Sequence, residues 1–228
     1  MNKFNNEKIK RMNSYKETFN TWNKVAKLYQ DKFMDLDLYN ETYDDLCENL
    51  SEKNPKILEI GCGPGNITKY LLKKRTDFDI LGLDVAPNMI DLAKINNPQA
   101  TFKVMDCREI DKIEIKFDAI VCGFCLPYLS EFDFEKLVFD FGNLLNKRGI
   151  IYLSYVEGEE EQSSYQTGSS GDRIFFYFHS LKKIKLELNK NNFEIINLFN
   201  VNYSKNDGTN EDHTIILAKK NENQHSRI

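Results

Sequence analysis

Short apolar runs alternate with segments of helical periodicity over most of the chain. Runs of this kind occupy residues 57–60, 79–84, 101–105, 117–122 and 150–156. Between them, apolar side chains recur every three or four positions, which is typical of amphipathic helices. Strands that are separated by helices imply right-handed crossovers and a parallel sheet. The pattern therefore predicts an α/β fold with a doubly wound, mostly parallel sheet.

The end of the chain departs from this alternation. Two further strand-like segments occupy residues 193–203 and 214–219, after a helical segment that Ser180 is predicted to cap. The connection over residues 204–210 has no helical pattern, so these two strands can pair only as an antiparallel hairpin. We therefore expect a parallel sheet that is completed by a C-terminal antiparallel hairpin.

The first fifty residues carry helical stripes of their own. Apolar residues recur from Tyr15 to Phe33 at alternating spacings of four and three, and a second stripe follows over residues 39–50. Ser14 with Glu17 forms a capping box, so we expect the first helix to begin there. The chain thus divides into an N-terminal helical cap over 1–50, a main domain over 51–220 and a flexible tail over 221–228.

Residues 157–173 differ from the rest of the chain because they are polar, rich in glycine and serine, and without periodicity. We expect a mobile loop beyond the carboxyl end of the fifth strand. Loops in this position often cover a ligand. Two interpretations stay open, a substrate lid and a surface excursion without a function.

Composition and charge exclude several classes. The 228 residues contain 31 basic and 35 acidic side chains, a net charge of −4, so a nucleic-acid partner is not expected. No apolar run is long enough to span a membrane. Five cysteines, an odd number, indicate reduced thiols and a cytoplasmic location. The polar N-terminus does not have the pattern of a signal peptide.

The candidate chemistry lies where the first strand meets its helix. Gly61, Gly63 and Gly65 follow the strand, and glycine permits both positive φ and a close approach by a ligand. A dinucleotide site would need a third glycine where Asn66 stands. Glu59 precedes the turn and would repel a pyrophosphate, whereas it suits a ligand that carries an ammonium and a sulfonium.

At this point the sequence resembles a family, the class I S-adenosylmethionine-dependent methyltransferases. Residues 57–65 are similar to the first motif of the family, 82–90 to the second, 102–107 to the third and 117–122 to the fourth. The resemblance covers residues 55–219, terminal hairpin included. It implies a Rossmann-like, seven-stranded sheet, S-adenosyl-L-methionine as cofactor, and methyl transfer to a small-molecule nucleophile by in-line displacement.

The resemblance also assigns residues to the methionine and ribose parts of the cofactor. The backbone would pass close to the methionine at Gly61, Cys62 and Gly63. Glu59 would order the turn and the amino group of the cofactor. Asp84 ends the second strand and would accept hydrogen bonds from both ribose hydroxyls.

The adenine would lie against Val85 and Met89. Asp106 would accept a hydrogen bond from its exocyclic amine, and the backbone N–H of Cys107 would reach a ring nitrogen. For each of these residues a purely structural role is the alternative.

The sulfonium would be lined by Gly123 and Phe124, which follow the fourth strand. Trp22 and Tyr29 in the helical cap are candidates to close over the cofactor or the substrate. An aromatic stripe at helical spacing is also typical of a core, so both interpretations stay open.

The sequence offers no decisive catalytic base. His179 and Tyr128 are candidates, although a histidine at the position of His179 more often braces the chain in this family. His213 is expected to be structural, and His225 lies in the tail. No metal site is expected, since Cys122 and Cys125 lack further ligands.

Two other classes of function stay open. One is a protein or RNA methyltransferase, and the other is a non-catalytic module that binds S-adenosylmethionine. The sequence predicts neither the acceptor atom, which can be nitrogen, oxygen, sulfur or carbon, nor the oligomeric state.

Overall fold

A computed structural model describes residues 3–168, 171–205 and 208–222. Two helices precede the sheet, α1 (Lys3–Phe33) and α2 (Asn40–Asn49). The prediction that the first helix begins at Ser14 is wrong, because the helix runs through this residue and buries its side chain. Glu17 forms an ion pair with Arg173 instead, at 2.8 Å.

The predicted seven-stranded sheet is confirmed. Its strands are β1 (Lys56–Ile60), β2 (Asp79–Asp84), β3 (Thr101–Val104), β4 (Phe117–Gly123), β5 (Leu145–Val156), β8 (Phe193–Ser204) and β9 (Asn210–Lys220). The first five strands are parallel, and β8 and β9 form a long antiparallel hairpin that completes the sheet in the order β3-β2-β1-β4-β5-β9-β8.

Helices cover both faces of this sheet, as the alternating pattern predicted. They are α3 (Asn66–Lys74), α4 (Pro87–Asn96), α5 (Glu131–Leu144) and α6 (Leu181–Lys190). Successive residues of β1 belong to separate cores: Ile57 packs in one, and Leu58 and Ile60 pack in the other. A strand that is buried on both faces is a continuous apolar run, which is why β1 could be recognised in the sequence.

Residues 157–173 do not form the irregular loop that their composition suggested. They contain a short helical turn, and then β6 (Ser164–Thr167) pairs antiparallel with β7 (Arg173–Phe176). The hairpin is bound to α1, where the Thr21 hydroxyl donates to the Arg173 carbonyl at 2.7 Å and the Phe175 N–H donates to Thr18 Oγ1 at 3.0 Å. These contacts with a distant helix stabilise a structure that no local pattern revealed.

The cap also contacts the sheet's helices. Asn23 of α1 accepts two hydrogen bonds of 2.8 Å from Asn88 at the start of α4, so α1 lies across the carboxyl edge of the sheet. None of the helices in the described part of the chain is both long and apolar enough to span a bilayer. Most of the predicted tail, with His225, lies outside the described residues.

Candidate functional site

A cavity of about 280 Å³ opens at the carboxyl ends of β1, β2 and β4. The turn that follows β1 forms its floor, with φ values of +65° at Gly61, +52° at Gly63 and +81° at Gly65. These are left-handed conformations that only glycine adopts without strain. The three glycines are therefore required by the shape of the turn.

Neighbouring atoms also leave little room for a side chain at two of the three glycines, Gly61 and Gly65. A Cβ atom at Gly61 would lie 3.0 Å from Cys125 Cβ, and one at Gly65 would lie 2.4 Å from Asn97 Nδ2. At Gly63 it would lie 3.6 Å from the ring of Tyr29. The turn thus passes close under α1 while its backbone stays accessible from the cavity.

Asp84 ties the turn to the end of β2. Its carboxylate accepts the Gly63 N–H at 2.9 Å through Oδ2 and the Ala86 N–H at 2.8 Å through Oδ1. Burial raises the pKa of this carboxyl, and the two backbone N–H groups oppose the shift. Each oxygen keeps a lone pair beyond these bonds, so the carboxylate can accept from hydroxyl groups of a ligand.

Glu59 is the most unusual side chain in the wall. It is 1% exposed, and the Thr68 hydroxyl donates to its Oε2. Within the described residues, Oε1 has no hydrogen-bond partner although it is buried. Burial raises the pKa of this carboxyl to about 8, with the charge of Asp84 as a smaller cause and the Thr68 bond opposing it. A buried acceptor without a partner is costly, and a cationic group of a ligand would relieve that cost.

Aromatic side chains of α1 form the roof. Trp22 makes edge-to-face contacts with Tyr29, at 5.6 Å between ring centroids, and with Tyr128, at 5.3 Å. The indole Nε1 of Trp22 is buried, and no acceptor for it exists in the described part of the chain. Two residues that line the cavity, Trp22 and Glu59, thus carry a buried donor and a buried acceptor without a partner among the described residues.

The third strand supplies the side wall. Asp106 is held by Arg108, whose Nε and Nη2 donate to its carboxylate at 3.0 and 2.5 Å. The half-buried thiol of Cys107 forms a hydrogen bond with the thiol of Cys125, and this bond and desolvation raise its pKa well above the ordinary value. A reactive thiolate at Cys107 is thereby disfavoured.

A residue with a strained backbone follows the fourth strand. Phe124 has φ +52°, and its N–H donates to both the carbonyl and the hydroxyl of Ser154 at 3.0 Å. A side chain at the preceding Gly123 would collide with Ile67, at 2.3 Å. Non-glycine residues in this conformation persist only where their surroundings hold them, and they often lie at functional sites.

A comparison with known proteins finds a family model that matches part of this sequence. The sequence model described as "Methyltransferase domain" matches residues 57–149. Trans-aconitate 2-methyltransferase of Enterobacter sp. is 31% identical over 107 residues, which cover 47% of this chain and 41% of that protein. Residues 57–149 of this chain are thus similar to methyltransferase domains. Malonyl-(acyl-carrier protein) O-methyltransferase of Acetivibrio thermocellus is 25% identical over 145 residues, covering 63% of this chain and 47% of that protein.

The chain spans less than half the length of these two curated relatives. Among solved structures, the fold of this chain is similar to that of 1,6-didemethyltoxoflavin-N1-methyltransferase of Burkholderia thailandensis. The TM-score is 0.66 at 18% identity, and the match covers 87% of this chain and 84% of the other.

Every residue that the resemblance assigned to the cofactor lines the cavity. They are Trp22, Tyr29, Glu59, Gly61, Cys62, Gly63, Asp84, Val85, Met89, Asp106, Cys107, Gly123 and Phe124. Tyr128 lines the cavity as well. Among the described residues no cluster of three or more histidine, cysteine or carboxylate side chains has the arrangement of a metal site.

His179 does not line the cavity. Its Nε2 lies 3.2 Å from the Leu126 carbonyl and 3.0 Å from the Leu129 carbonyl, contacts that brace the segment after β4. Burial lowers the pKa of this imidazole, so the neutral ring donates to these carbonyls.

One group of residues in the wall has no motif in the sequence that marks it: Tyr39, Tyr203, Glu211 and His213. Glu211 and His213 alternate along β9, so they lie on the same face of that strand. This spacing was the only available signal, and it was too weak to identify a site.

Proposed function

We propose that this chain binds S-adenosyl-L-methionine in the cavity and transfers the methyl group to a small-molecule nucleophile by in-line displacement. The observation that carries the proposal is the buried Oε1 of Glu59, which has no hydrogen-bond partner among the described residues and lies beside a glycine turn. A neutral donor at this place would leave the charge of the ionised carboxylate uncompensated. A ligand with an ammonium group next to the turn would compensate it.

The remaining wall is consistent with the other parts of this cofactor. In this proposal Asp84 accepts from ribose hydroxyls, and Val85 and Met89 make apolar contacts with the adenine. The cofactor itself supplies a methyl group that its sulfonium already activates. The task of the chain is then to align the acceptor and to exclude water, which can contribute roughly 7–11 kcal/mol.

The helix and the hairpin that cover the cavity favour a small acceptor. Helix α1 and the β6–β7 hairpin lie against each other, joined by an ion pair of 2.8 Å between Lys24 and Asp172. The net charge of −4 gives no basic surface excess for a nucleic acid. The two curated relatives are named for trans-aconitate and for the malonyl group of an acyl carrier protein, and the structural neighbour holds 1,6-didemethyltoxoflavin.

Calorimetric titration with S-adenosylmethionine and S-adenosylhomocysteine tests the proposal. We expect binding of both at one site per chain, and a lower affinity in Asp84→Ala because the ribose hydroxyls lose their acceptor. If neither ligand binds to the folded wild-type protein, the proposal is wrong. If both bind but no protic acceptor is ever methylated, the non-catalytic binding module becomes the better description.

A further inference from the structure

One end of the cavity is built from residues outside the matched segment 57–149. Tyr39 precedes α2, Tyr203 lies on β8, and Glu211 and His213 lie on β9. All four line the cavity next to Phe124, whose ring centroid is 5.1 Å from that of Tyr39 and 4.8 Å from that of His213. This end of the cavity is called the hairpin wall below.

Hydrogen bonds join three of these residues in a row. His213 Nδ1 lies 2.7 Å from the Tyr39 hydroxyl, and His213 Nε2 lies 3.1 Å from Glu211 Oε2. The bond from His213 lowers the pKa of the Glu211 carboxyl, and Lys205, 2.6 Å from Glu211 Oε1, acts in the same direction. Since an ionised carboxylate only accepts, Nε2 carries the proton of the neutral ring. Nδ1 then accepts from the Tyr39 hydroxyl.

The imidazole is held firmly in this orientation. The Tyr203 ring stacks on it at 5.2 Å with an interplanar angle of 13°, and His213 is 6% exposed. A carboxylate that orients a histidine, which in turn accepts from a hydroxyl, is the arrangement that moves protons in many enzymes. In the methyl-transfer reaction such a relay is needed only when the nucleophile carries a proton that it does not lose readily.

We propose that the hairpin wall is the acceptor subsite, and that Tyr39, His213 and Glu211 form a proton relay for an acceptor with an O–H or N–H group on an aromatic ring. This inference rests on the proposed function. The acceptor heteroatom forms a bond to the methyl carbon while the carbon–sulfur bond breaks, and the electron pair of that bond stays on sulfur. The proton of the acceptor passes to the Tyr39 oxygen, and the hydroxyl proton of Tyr39 passes to His213 Nδ1. Glu211 stabilises the resulting imidazolium.

The aromatic class follows from the lining of this wall, where Phe124, Tyr203 and Tyr39 offer ring faces and edges to a planar acceptor. Other titratable groups also face the relay. They are Lys205 beside Glu211, Tyr152 on β5 and Tyr29 on α1. Of these groups only Lys205 carries a charge near neutral pH, and it is paired with Glu211.

The test uses 4-nitrophenol as the probe, because its phenolate form absorbs visible light. The probe is titrated into the full chain saturated with S-adenosylhomocysteine, at a pH where the free probe is mostly protonated. We expect saturable binding, and an ionisation constant of the bound probe that is about tenfold higher than in solution because the relay takes up the proton. We expect most of this increase in the ionisation constant to be lost in each of three variants, Tyr39→Phe, His213→Asn and Glu211→Gln. Their affinity for S-adenosylhomocysteine is expected to stay within about twofold of wild type.

Tyr155→Phe is the matched control, since it removes a buried tyrosine hydroxyl outside the cavity and is expected to keep the gain. Tyr39→Phe retains the buried ring, so the test does not depend on a variant that fails to fold. Absence of probe binding, or an equal gain in wild type and Tyr39→Phe, would overturn the inference. In either case, retained binding of S-adenosylhomocysteine would leave the proposed function standing.

Discussion

Replacing Glu59 by Gln is expected to stabilise the free protein near neutral pH. The wild-type carboxyl has its pKa raised to about 8 in the folded state, chiefly by burial, against an ordinary value of 4.5. Between these two values the folded state binds more protons than the unfolded state, so the free energy of unfolding falls as the pH rises. Glutamine has the same shape, can accept from the Thr68 hydroxyl and does not titrate.

The magnitude follows from the width of this interval. Each pH unit inside it removes ~1.36 kcal/mol of stability from the wild type. Between about pH 5 and about pH 7 the contribution of Glu59 to the free energy of unfolding should therefore fall by roughly 2–3 kcal/mol. Above the folded-state pKa of about 8 both states are ionised, and the loss should level off.

Urea unfolding of wild type and Glu59→Gln at a series of pH values measures this effect directly. The free energy of unfolding of the variant, relative to that of wild type, is expected to increase with pH. Subtracting the two curves removes the contributions that other titrating groups make equally to both proteins. Glu48→Gln changes an exposed glutamate on α2 and serves as the control for removal of a charge far from the cavity. A difference between Glu59→Gln and wild type that does not change with pH would refute the reasoning.

Two further predictions concern the turn and the ribose contact. Gly65→Ala should lower the free energy of unfolding by about 2–5 kcal/mol, because it adds overpacking to left-handed strain. Gly208 has a similar φ of +82° but no atom within 4 Å of an added Cβ, so Gly208→Ala should lower the free energy of unfolding only by the ~1–2 kcal/mol of left-handed strain. Equal losses for the two variants in urea unfolding would count against the steric clash at Gly65. Asp84→Asn should weaken binding of S-adenosylhomocysteine by roughly tenfold or more, as expected for a lost hydrogen bond to a charged group. Asp79→Asn, at the opposite end of the same strand, should leave the calorimetric affinity unchanged, and an equal effect of both would argue against the ribose contact.

The sheet and the cofactor end of the cavity could be predicted because their signals are local. Parallel strands such as β4 are buried on both faces and appear as continuous apolar runs. A turn with three left-handed positions needs glycine at each, so Gly61, Gly63 and Gly65 mark it in the sequence. An acid at the end of β2 then falls beside this turn, because the carboxyl ends of parallel strands share one edge of the sheet.

The parts that could not be predicted depend on contacts between distant residues. Strands β6 and β7 have four residues each, β6 is exposed, and the contacts of β7 with α1 join residues about 150 positions apart. Ser14 has the pattern of a helix start, yet nothing near it interrupts the helix. His213 meets Tyr39 across 174 positions of sequence, so its place in the cavity wall left no local pattern.

We propose that Glu59 receives the ammonium group of S-adenosylmethionine or of its product in the cavity. Titration with S-adenosylhomocysteine at about pH 7, in two buffers of different ionisation enthalpy, tests it directly. Since the carboxyl is mostly protonated in the free protein and ionised beside a cation, we predict one ligand per chain and release of about one proton in wild type. In Glu59→Gln we predict weaker binding without proton release. Tight binding with the same proton balance in both proteins would contradict the account.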